Sequence, residues 1–189
     1  LNIFDSFRAQ EGGLIGRFEE ASLSDVAKAV SAIFADKAET NKITLNFELI
    51  PAEHDSGRWK TMCDKMLIER VLFNLIGNAI KYVGSGGYIF LRLQDCGGEF
   101  RFDVTDTGPG IPEEEIPIVL ASFGQGSNSI KSAEQGAGLG LPIAKSLVDL
   151  HGGTFTLKSK LRIGTEVVVT FPPERVMAAM APLTEPAPS

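Results

Sequence analysis

The sequence predicts a two-layer α/β sandwich of the α+β class, in which a mixed, mostly antiparallel sheet packs against helices. Segments with helical spacing of apolar residues alternate with short β-rich segments, so both element types share one core. The β-rich segments 88–94 and 99–105, and again 154–159 and 165–171, are each separated by a short turn. Such neighbouring strands form hairpins, which exclude a purely parallel sheet.

The first half of the chain contains two predicted helices among short strands. Ser24 is predicted to cap the first helix, whose apolar stripe is Val26, Ala29, Val30 and Ile33. Asp64 is predicted to cap the second helix, which ends at the glycine-rich residues 84–87. The strands predicted in this half are residues 17–23, 43–50 and 58–63.

The second half begins with the hairpin of strands 88–94 and 99–105. A stretch with little periodicity follows, residues 106–140, interrupted by a short helix near 113–120. A last helix, residues 141–150, ends at His151-Gly152-Gly153 and precedes the final hairpin. The domain boundaries predicted from this pattern are residues 1–16, 17–172 and 173–189, the last rich in Pro and Ala and expected to be disordered.

Composition excludes several classes of function. The 189 residues carry 18 basic and 24 acidic side chains, and this net charge of −6 argues against nucleic-acid binding and direct membrane contact. The two cysteines, Cys63 and Cys96, have no nearby partner pattern, so neither a zinc site nor a disulfide framework is expected. This cysteine usage favours a reducing, cytoplasmic compartment. The chain begins at Leu1, and we expect it to be part of a longer protein.

The helix after Asp64 has an apolar face and a polar face. Its apolar stripe is Ile68, Leu72, Leu75, Ile76 and Ala79. Its polar residues lie one above another on a different face: Arg70, Asn74, Asn78 and Lys81. Asn is unfavourable inside a helix because its amide competes for backbone hydrogen bonds, so two stacked Asn residues require a reason. From this pattern alone, a solvated face and a ligand site are both open.

A glycine-containing segment, Asp106-Thr107-Gly108-Pro109-Gly110-Ile111, follows the predicted strand that ends at residue 105. Glycine lets a backbone approach a flat ligand closely. An Asp at a strand end could accept a hydrogen bond from the exocyclic amine of such a ligand in an otherwise apolar pocket. The same pattern also describes many simple turns.

Two further glycine segments come later. Gly136-Ala137-Gly138-Leu139-Gly140-Leu141-Pro142 immediately precedes a helix, where free N–H groups and the helix dipole suit a phosphate chain. It has neither dinucleotide-fold nor P-loop spacing, and a flexible hinge is compatible with phosphate binding. Gly164-Thr165 opens the last strand, where a hairpin turn is the simpler interpretation.

Together and in this order, these segments resemble the catalytic, ATP-binding domain of sensor histidine kinases. That superfamily also includes Hsp90-type, gyrase-type and MutL-type ATPases. Residues 74–82 resemble the N box, 106–112 the first glycine box and 136–141 the second, with Phe123 at the F-box position. The resemblance implies a Bergerat-type fold with a mobile ATP lid at about residues 111–137.

The resemblance also implies roles for the site residues, with ATP and Mg²⁺ as cofactors. Asn78 would offer its side-chain oxygen to Mg²⁺. Asn74 would support the water shell of the metal or the phosphates, Lys81 would contact phosphate oxygens, and Tyr82 would lie against the adenine or ribose. Lys131 would be the lid cation for the γ-phosphate, although a solvated Lys is the simpler interpretation.

The glycine boxes would form the rest of the nucleotide site. Asp106 would accept a hydrogen bond from the adenine amine, with Thr165 assisting through water. The other positions assigned to nucleotide binding are Gly108, Gly110, Ile111, Phe123, Gly136, Gly138, Leu139, Gly140 and Leu141.

The implied activity is transfer of the γ-phosphoryl group of ATP to a His on an upstream dimerisation domain. Residues 1–14 resemble the end of that domain and its linker. The chain has two histidines, and neither suits the acceptor role: His54 is interpreted as a surface residue and His151 as a helix stop. A response regulator or partner kinase and a homodimeric parent protein follow from the same resemblance.

Some positions depart from the family pattern. Arg70 stands where the family often has Gln, His or Glu, and a permanent cation cannot act as a base. Gln125 replaces a frequent Arg, and Ala137 a common Thr. The lid sequence resembles the PleC and DivL type of alphaproteobacterial cell-cycle kinases. A pseudokinase signalling module is therefore the alternative, whereas an Hsp90-like hydrolase is disfavoured because it would carry Glu in place of Asn74.

Overall fold

The structure, a computed structural model, describes residues 19–50, 59–121 and 140–171. In chain order its elements are β1 (Glu19–Ser22), α1 (Leu23–Thr40), β2 (Thr44–Ile50), β3 (Lys60–Cys63), α2 (Lys65–Val83), β4 (Tyr88–Asp95), β5 (Phe100–Asp106), a 3-10 turn (Glu113–Glu115), α3 (Ile116–Leu120), α4 (Gly140–Leu150), β6 (Thr154–Lys160) and β7 (Gly164–Phe171). None of the helices within these ranges is long and apolar enough to cross a membrane.

The main sheet has five strands in the order β2-β4-β5-β7-β6. β2 and β4 run parallel, with α2 in the connection between them, and the other neighbouring pairs are antiparallel. β1 and β3 form a separate antiparallel pair. This architecture confirms the predicted α+β class and the mixed, mostly antiparallel sheet.

The core lies between one face of the sheet and the helices. β4 alternates inward and outward side chains, and its inward residues Ile89, Leu91 and Leu93 are fully buried. The predicted apolar stripe of α2 is buried in the same cluster: Ile68, Leu72, Leu75, Ile76 and Ala79. α2 therefore seats its apolar face on the sheet as the periodicity predicts.

The start of α1 differs from the prediction. Ser22, not Ser24, is the N-cap, because its Oγ accepts a hydrogen bond from the Asp25 N–H at 3.3 Å. The helix therefore begins at Leu23, and Ser24 is buried inside its first turn.

The buried face of α1 also differs. The prediction placed Ala29 and Ile33 on it, but Ala29 is exposed and Ile33 keeps 63 % of its surface exposed. The side chains that pack inward are Leu23, Val26, Ala27, Val30, Phe34 and Ala38. This stripe starts at Leu23, so Phe34 takes the core position that the prediction gave to its neighbour Ile33.

Asp64 confirms its predicted role as the cap of α2. Its Oδ1 accepts a hydrogen bond from the Leu67 N–H at 3.1 Å. At the other end, Gly84 adopts a φ of 78°, which ends the helix and favours glycine. The predictions for residues 1–16, His54 and the region after Phe171 lie outside the described residues.

His151 is a buried residue at the end of α4, with 1 % of its surface exposed. Its Nδ1 lies 2.9 Å from the Leu147 carbonyl oxygen, and its ring meets that of Phe171 edge-on with 5.7 Å between centroids. Burial lowers the pKa of His151 below 6.5, and this cause outweighs the nearby carbonyl groups and Asp64, which raise it. The ring is therefore a packing element between α4 and β7.

We expect His151→Phe to reduce the pH dependence of folding stability between pH 7.5 and 5.5. Because the folded pKa is lowered, the unfolded chain binds the extra proton, and stability falls as the pH drops through 6.5. One such group contributes at most about 1.4 kcal/mol per pH unit to the slope. Urea unfolding at three pH values measures it.

The control for this prediction is His54→Gln, which removes the other histidine of the chain and should leave the slope unchanged. A wild-type slope in His151→Phe would contradict the assignment.

Candidate functional site

The polar face of α2 forms one wall of the candidate site. Asn74 is nearly buried, with 9 % of its surface exposed, whereas Asn78 is half-buried and Lys81 is exposed. The Nδ2 of Asn74 is buried and has no hydrogen-bond partner among the described residues. An unpaired buried amide is costly, so we expect its acceptor to come from outside the described residues.

α4 begins directly against Asn74. A Cβ placed on Gly140 would lie 3.7 Å from the Asn74 carbonyl oxygen and 3.9 Å from its Oδ1. The start of α4 and the Asn face of α2 are thus adjacent, as a phosphate site between them requires. The helix begins at Gly140, one residue earlier than predicted, and Pro142 lies in its first turn as expected. Leu141 is buried with the core.

Asp106 lies at the end of β5, beside the C-terminal end of α2. Its Oδ1 accepts a hydrogen bond from the Gly108 N–H at 2.8 Å. A Cβ on Gly108 would come within 2.7 Å of that same oxygen and 3.4 Å of the Tyr82 carbonyl oxygen. Any side chain at position 108 would therefore press on Asp106 and on the end of α2.

The Asp106 carboxyl is an acceptor in a partly desolvated position. Burial raises its pKa above the usual range, while hydrogen bonds from the backbone of Gly108 and Thr165 act in the opposite direction. A carboxylate at a strand end that accepts the Gly108 N–H is suited to accept one more hydrogen bond from a ligand amine.

The loop after Asp106 rests on the turn between β6 and β7. The Arg162 N–H donates to the Pro109 carbonyl oxygen at 2.7 Å. Gly110 has a φ of 75°, and a Cβ there would come within 2.2 Å of the Lys160 carbonyl oxygen. The backbone of the loop and the backbone of the hairpin thus touch with no room for a side chain.

Thr165 lies directly opposite Asp106 in the β5–β7 pairing. Gly164 beside it has a φ of 144°, and a Cβ there would come within 1.9 Å of the Asp106 carbonyl oxygen. The structure thus brings Gly164-Thr165 against Asp106. Asp106 and Thr165 are the two residues that the sequence analysis assigned together to the adenine end of the site.

Ser159 is a site residue that the sequence reasoning missed. Its Oγ accepts a hydrogen bond from the Ile111 N–H at 2.7 Å and lies 2.8 Å from the Thr165 Oγ1. The signal was present in the sequence, because Phe155, Leu157 and Ser159 alternate in β6. A polar residue that continues an apolar inward series indicates a specific partner.

Lys81 and Tyr82 lie at the exposed end of α2. The Lys81 Nζ sits over the Tyr82 ring at 5.3 Å from its centroid, and the Tyr82 side chain is 42 % exposed. Arg70 is partly exposed at the other end of the same polar face. The remaining predicted positions lie outside the described residues: Phe123, Gln125, Lys131, Gly136, Ala137, Gly138 and Leu139.

The described residues fit a nucleotide in two independent ways. The unpaired Nδ2 of Asn74 offers a buried donor beside the start of α4. Asp106 offers an acceptor in a loop whose backbone contacts exclude side chains. The amide oxygen of Asn78, one turn from Asn74, is a hard ligand of the kind that Mg²⁺ prefers.

Comparison with known proteins identifies the family. The family described as "Histidine kinase-, DNA gyrase B-, and HSP90-like ATPase" matches residues 63–175. The chain therefore belongs to this family, and within it is a catalytic domain of the histidine kinase type. The resemblance inferred from the motifs is confirmed.

Individual relatives agree with this assignment. The circadian input-output histidine kinase CikA of Synechococcus elongatus is 32 % identical over 96 % of this chain and 24 % of its own length. The cell-division control histidine kinase PdhS of Brucella canis is 28 % identical over 94 % of this chain and 18 % of its own. The chain thus spans about a quarter or less of these relatives.

Among solved structures, the nucleotide-free catalytic domain of the histidine kinase ThkA matches with a TM-score of 0.69 and 28 % identity. The match covers 84 % of this chain and 99 % of that domain. The similarity thus extends over a whole catalytic domain of the histidine kinase type.

We expect Gly110→Ala to destabilise the fold by about 2 kcal/mol more than Gly86→Ala does. Both glycines have a positive φ, 75° and 83°, but only Gly110 faces a backbone atom within 4 Å. Gly86→Ala therefore controls for the conformational strain alone. Urea unfolding of the two variants measures the difference, and equal losses would contradict the close contact.

Proposed function

We propose that this chain is the ATP–Mg²⁺-binding catalytic domain of a two-component sensor histidine kinase. In this proposal it donates the γ-phosphoryl group of ATP to a His on an upstream dimerisation domain of the same protein. The observation that carries the proposal is the buried Nδ2 of Asn74, which has no hydrogen-bond partner among the described residues and lies beside Gly140, with Asp106 near the C-terminal end of α2.

The middle and the C-terminal end of α2 suggest how the nucleotide would lie. Asp106 contacts the last turn of α2 through Gly108, and Asn74 lies more than two turns earlier in the same helix. The adenine amine would bond to Asp106, with Thr165 assisting through water. The phosphates would extend along the helix toward Asn74 and Gly140.

The polar face of α2 would serve the phosphates. Asn78 would give its amide oxygen to Mg²⁺, and the Nδ2 of Asn74 would donate to a phosphate oxygen or to a metal-bound water. Lys81 would add positive charge near the phosphates. Mg²⁺ supplies charge neutralisation when bound, and phosphoryl transfer otherwise demands mainly positioning from the protein.

The lid would complete the site. Residues 111–137, with Phe123 and the cation Lys131, would cover the nucleotide, and Gly136, Gly138 and Leu139 would turn backbone N–H groups to the phosphates. Tyr82 would lie against the adenine or ribose. The same proposal includes a homodimeric parent protein, a cytoplasmic location for this domain, and a response regulator or partner kinase that receives the signal.

The alternative is a pseudokinase module that regulates a partner kinase by its conformation and transfers no phosphate. Arg70 supports this alternative because it occupies the polar face one turn before Asn74, where it adds a permanent cation. The similarity to the cell-division kinase PdhS agrees with either version, since both belong to that signalling class.

Calorimetry with ATP, in the presence and absence of Mg²⁺, tests the binding step. We expect Asn78→Ala to abolish the Mg²⁺-dependent part of the affinity, and Asp106→Asn to weaken binding about tenfold or more with or without metal, a loss of about 1.4 kcal/mol. Asn46→Ala, a half-buried amide on β2, is the matched control and should bind as the wild type does. If the folded wild type bound no ATP, the proposal would fail.

Radiolabel transfer from γ-labelled ATP by the full-length protein tests catalysis. We expect acid-labile label on the protein, and at least about a hundredfold less with Asn78→Ala because the metal site is lost. ATP binding without label transfer in the wild type would favour the pseudokinase alternative.

A further inference from the structure

We propose that Ser159 is a positioning residue that fixes the Asp106 carboxylate at the purine 6-position and so sets the preference for adenine. This inference rests on the proposed function, because it concerns the adenine end of the same site. Ser159 would not touch the nucleotide in this role. It would act through the Gly164–Thr165 peptide and through the loop that carries Ile111.

The hydroxyl of Ser159 has its full complement of partners. It donates to the Gly164 carbonyl oxygen at 3.0 Å and accepts from the Ile111 N–H at 2.7 Å. The Thr165 Oγ1 lies 2.8 Å from the same oxygen, and either hydroxyl can be the donor in that contact. In either arrangement the Thr165 oxygen keeps a lone pair for a bridging water.

The contact with Gly164 reaches Asp106 through one rigid peptide. The carbonyl of Gly164 and the N–H of Thr165 belong to the same planar unit, so fixing one orients the other. This peptide lies against Asp106, because Thr165 is its partner in the β5–β7 pairing and Gly164 packs on its backbone carbonyl. Ser159 therefore fixes the orientation of a peptide that packs directly on Asp106.

The contact with Ile111 reaches Asp106 from the other side. Ile111 ends the loop that contains Gly108, and the Gly108 N–H donates to the Asp106 Oδ1 at 2.8 Å. One hydroxyl thus restrains both backbone segments that lie against Asp106. Loss of the hydroxyl would leave the carboxylate in place but let its orientation vary.

Two control variants distinguish this positioning role of Ser159 from a purely structural role in the hairpin. The opposite end of the same hairpin carries a comparable hydroxyl pair, Thr154 and Thr170, far along the strands from Asp106. Thr154→Val removes that pair without touching the site, so it is the matched control for the loss of a hairpin hydroxyl. Ser159→Thr keeps the hydroxyl on the same strand and tests rescue.

The experiment measures the affinity of the 189-residue chain for ATP and for inosine triphosphate, with Mg²⁺, by calorimetry. Inosine triphosphate carries an oxygen in place of the 6-amine, and a carboxylate that is held toward that position repels it. We expect the wild type and Thr154→Val to have the same ratio of affinity for ATP to affinity for inosine triphosphate. Ser159→Ala should reduce that preference about three- to tenfold, and Ser159→Thr should restore it to within about twofold.

A second measurement needs no nucleotide. Amide hydrogen exchange should show faster exchange at Ile111 and Thr165 in Ser159→Ala, and wild-type exchange at both in Thr154→Val. An unchanged preference for ATP in Ser159→Ala, or an equal loss of affinity for both nucleotides, would overturn the inference while leaving the proposed function intact. A wild type that bound neither nucleotide would overturn both.

Discussion

The site depends on how α2 packs against the sheet. The apolar stripe of this helix is buried on β4 and β5, and this packing fixes the rotation of the helix about its axis. With the rotation fixed, the face that carries Asn74 and Asn78 is separate from the buried stripe, and Asn74 lies against the start of α4. The packing of the hydrophobic core thus orients the polar residues of α2. Close contacts at Gly108 and Gly140 place the loop after β5 and the start of α4 beside this helix.

The parts of this arrangement that depend on local order could be predicted from the sequence. The spacing of Ile68, Leu72 and Leu75 predicts the buried face of α2, and Asp64 predicts its start. The hairpin 154–171 follows from two β-rich runs around a short turn. These predictions succeed because each depends on residues that are close together in the chain. Their periodicity indicates which face of the helix or strand is buried.

The parts that depend on distant residues could not be predicted in the same way. Ser159 meets Ile111 across 48 positions, and only the paired sheet brings them together. The predicted N-cap of α1 was wrong because Ser22 and Ser24 are both acceptable N-cap residues in the sequence. The structure selects Ser22 because the Leu23 N–H bonds to the Trp59 carbonyl, a contact outside the helix. Local patterns rank such alternatives equally, and tertiary contacts decide between them.

The contact of Gly110 with Lys160 has a consequence for how such a domain diverges during evolution. Two main chains touch there, so no compensating side-chain change at position 160 would make room for a larger residue at position 110. Substitutions around the loop can be compensated only at positions where one side chain contacts another. Distant relatives that keep this backbone crossing are thus expected to keep a glycine at the position of Gly110.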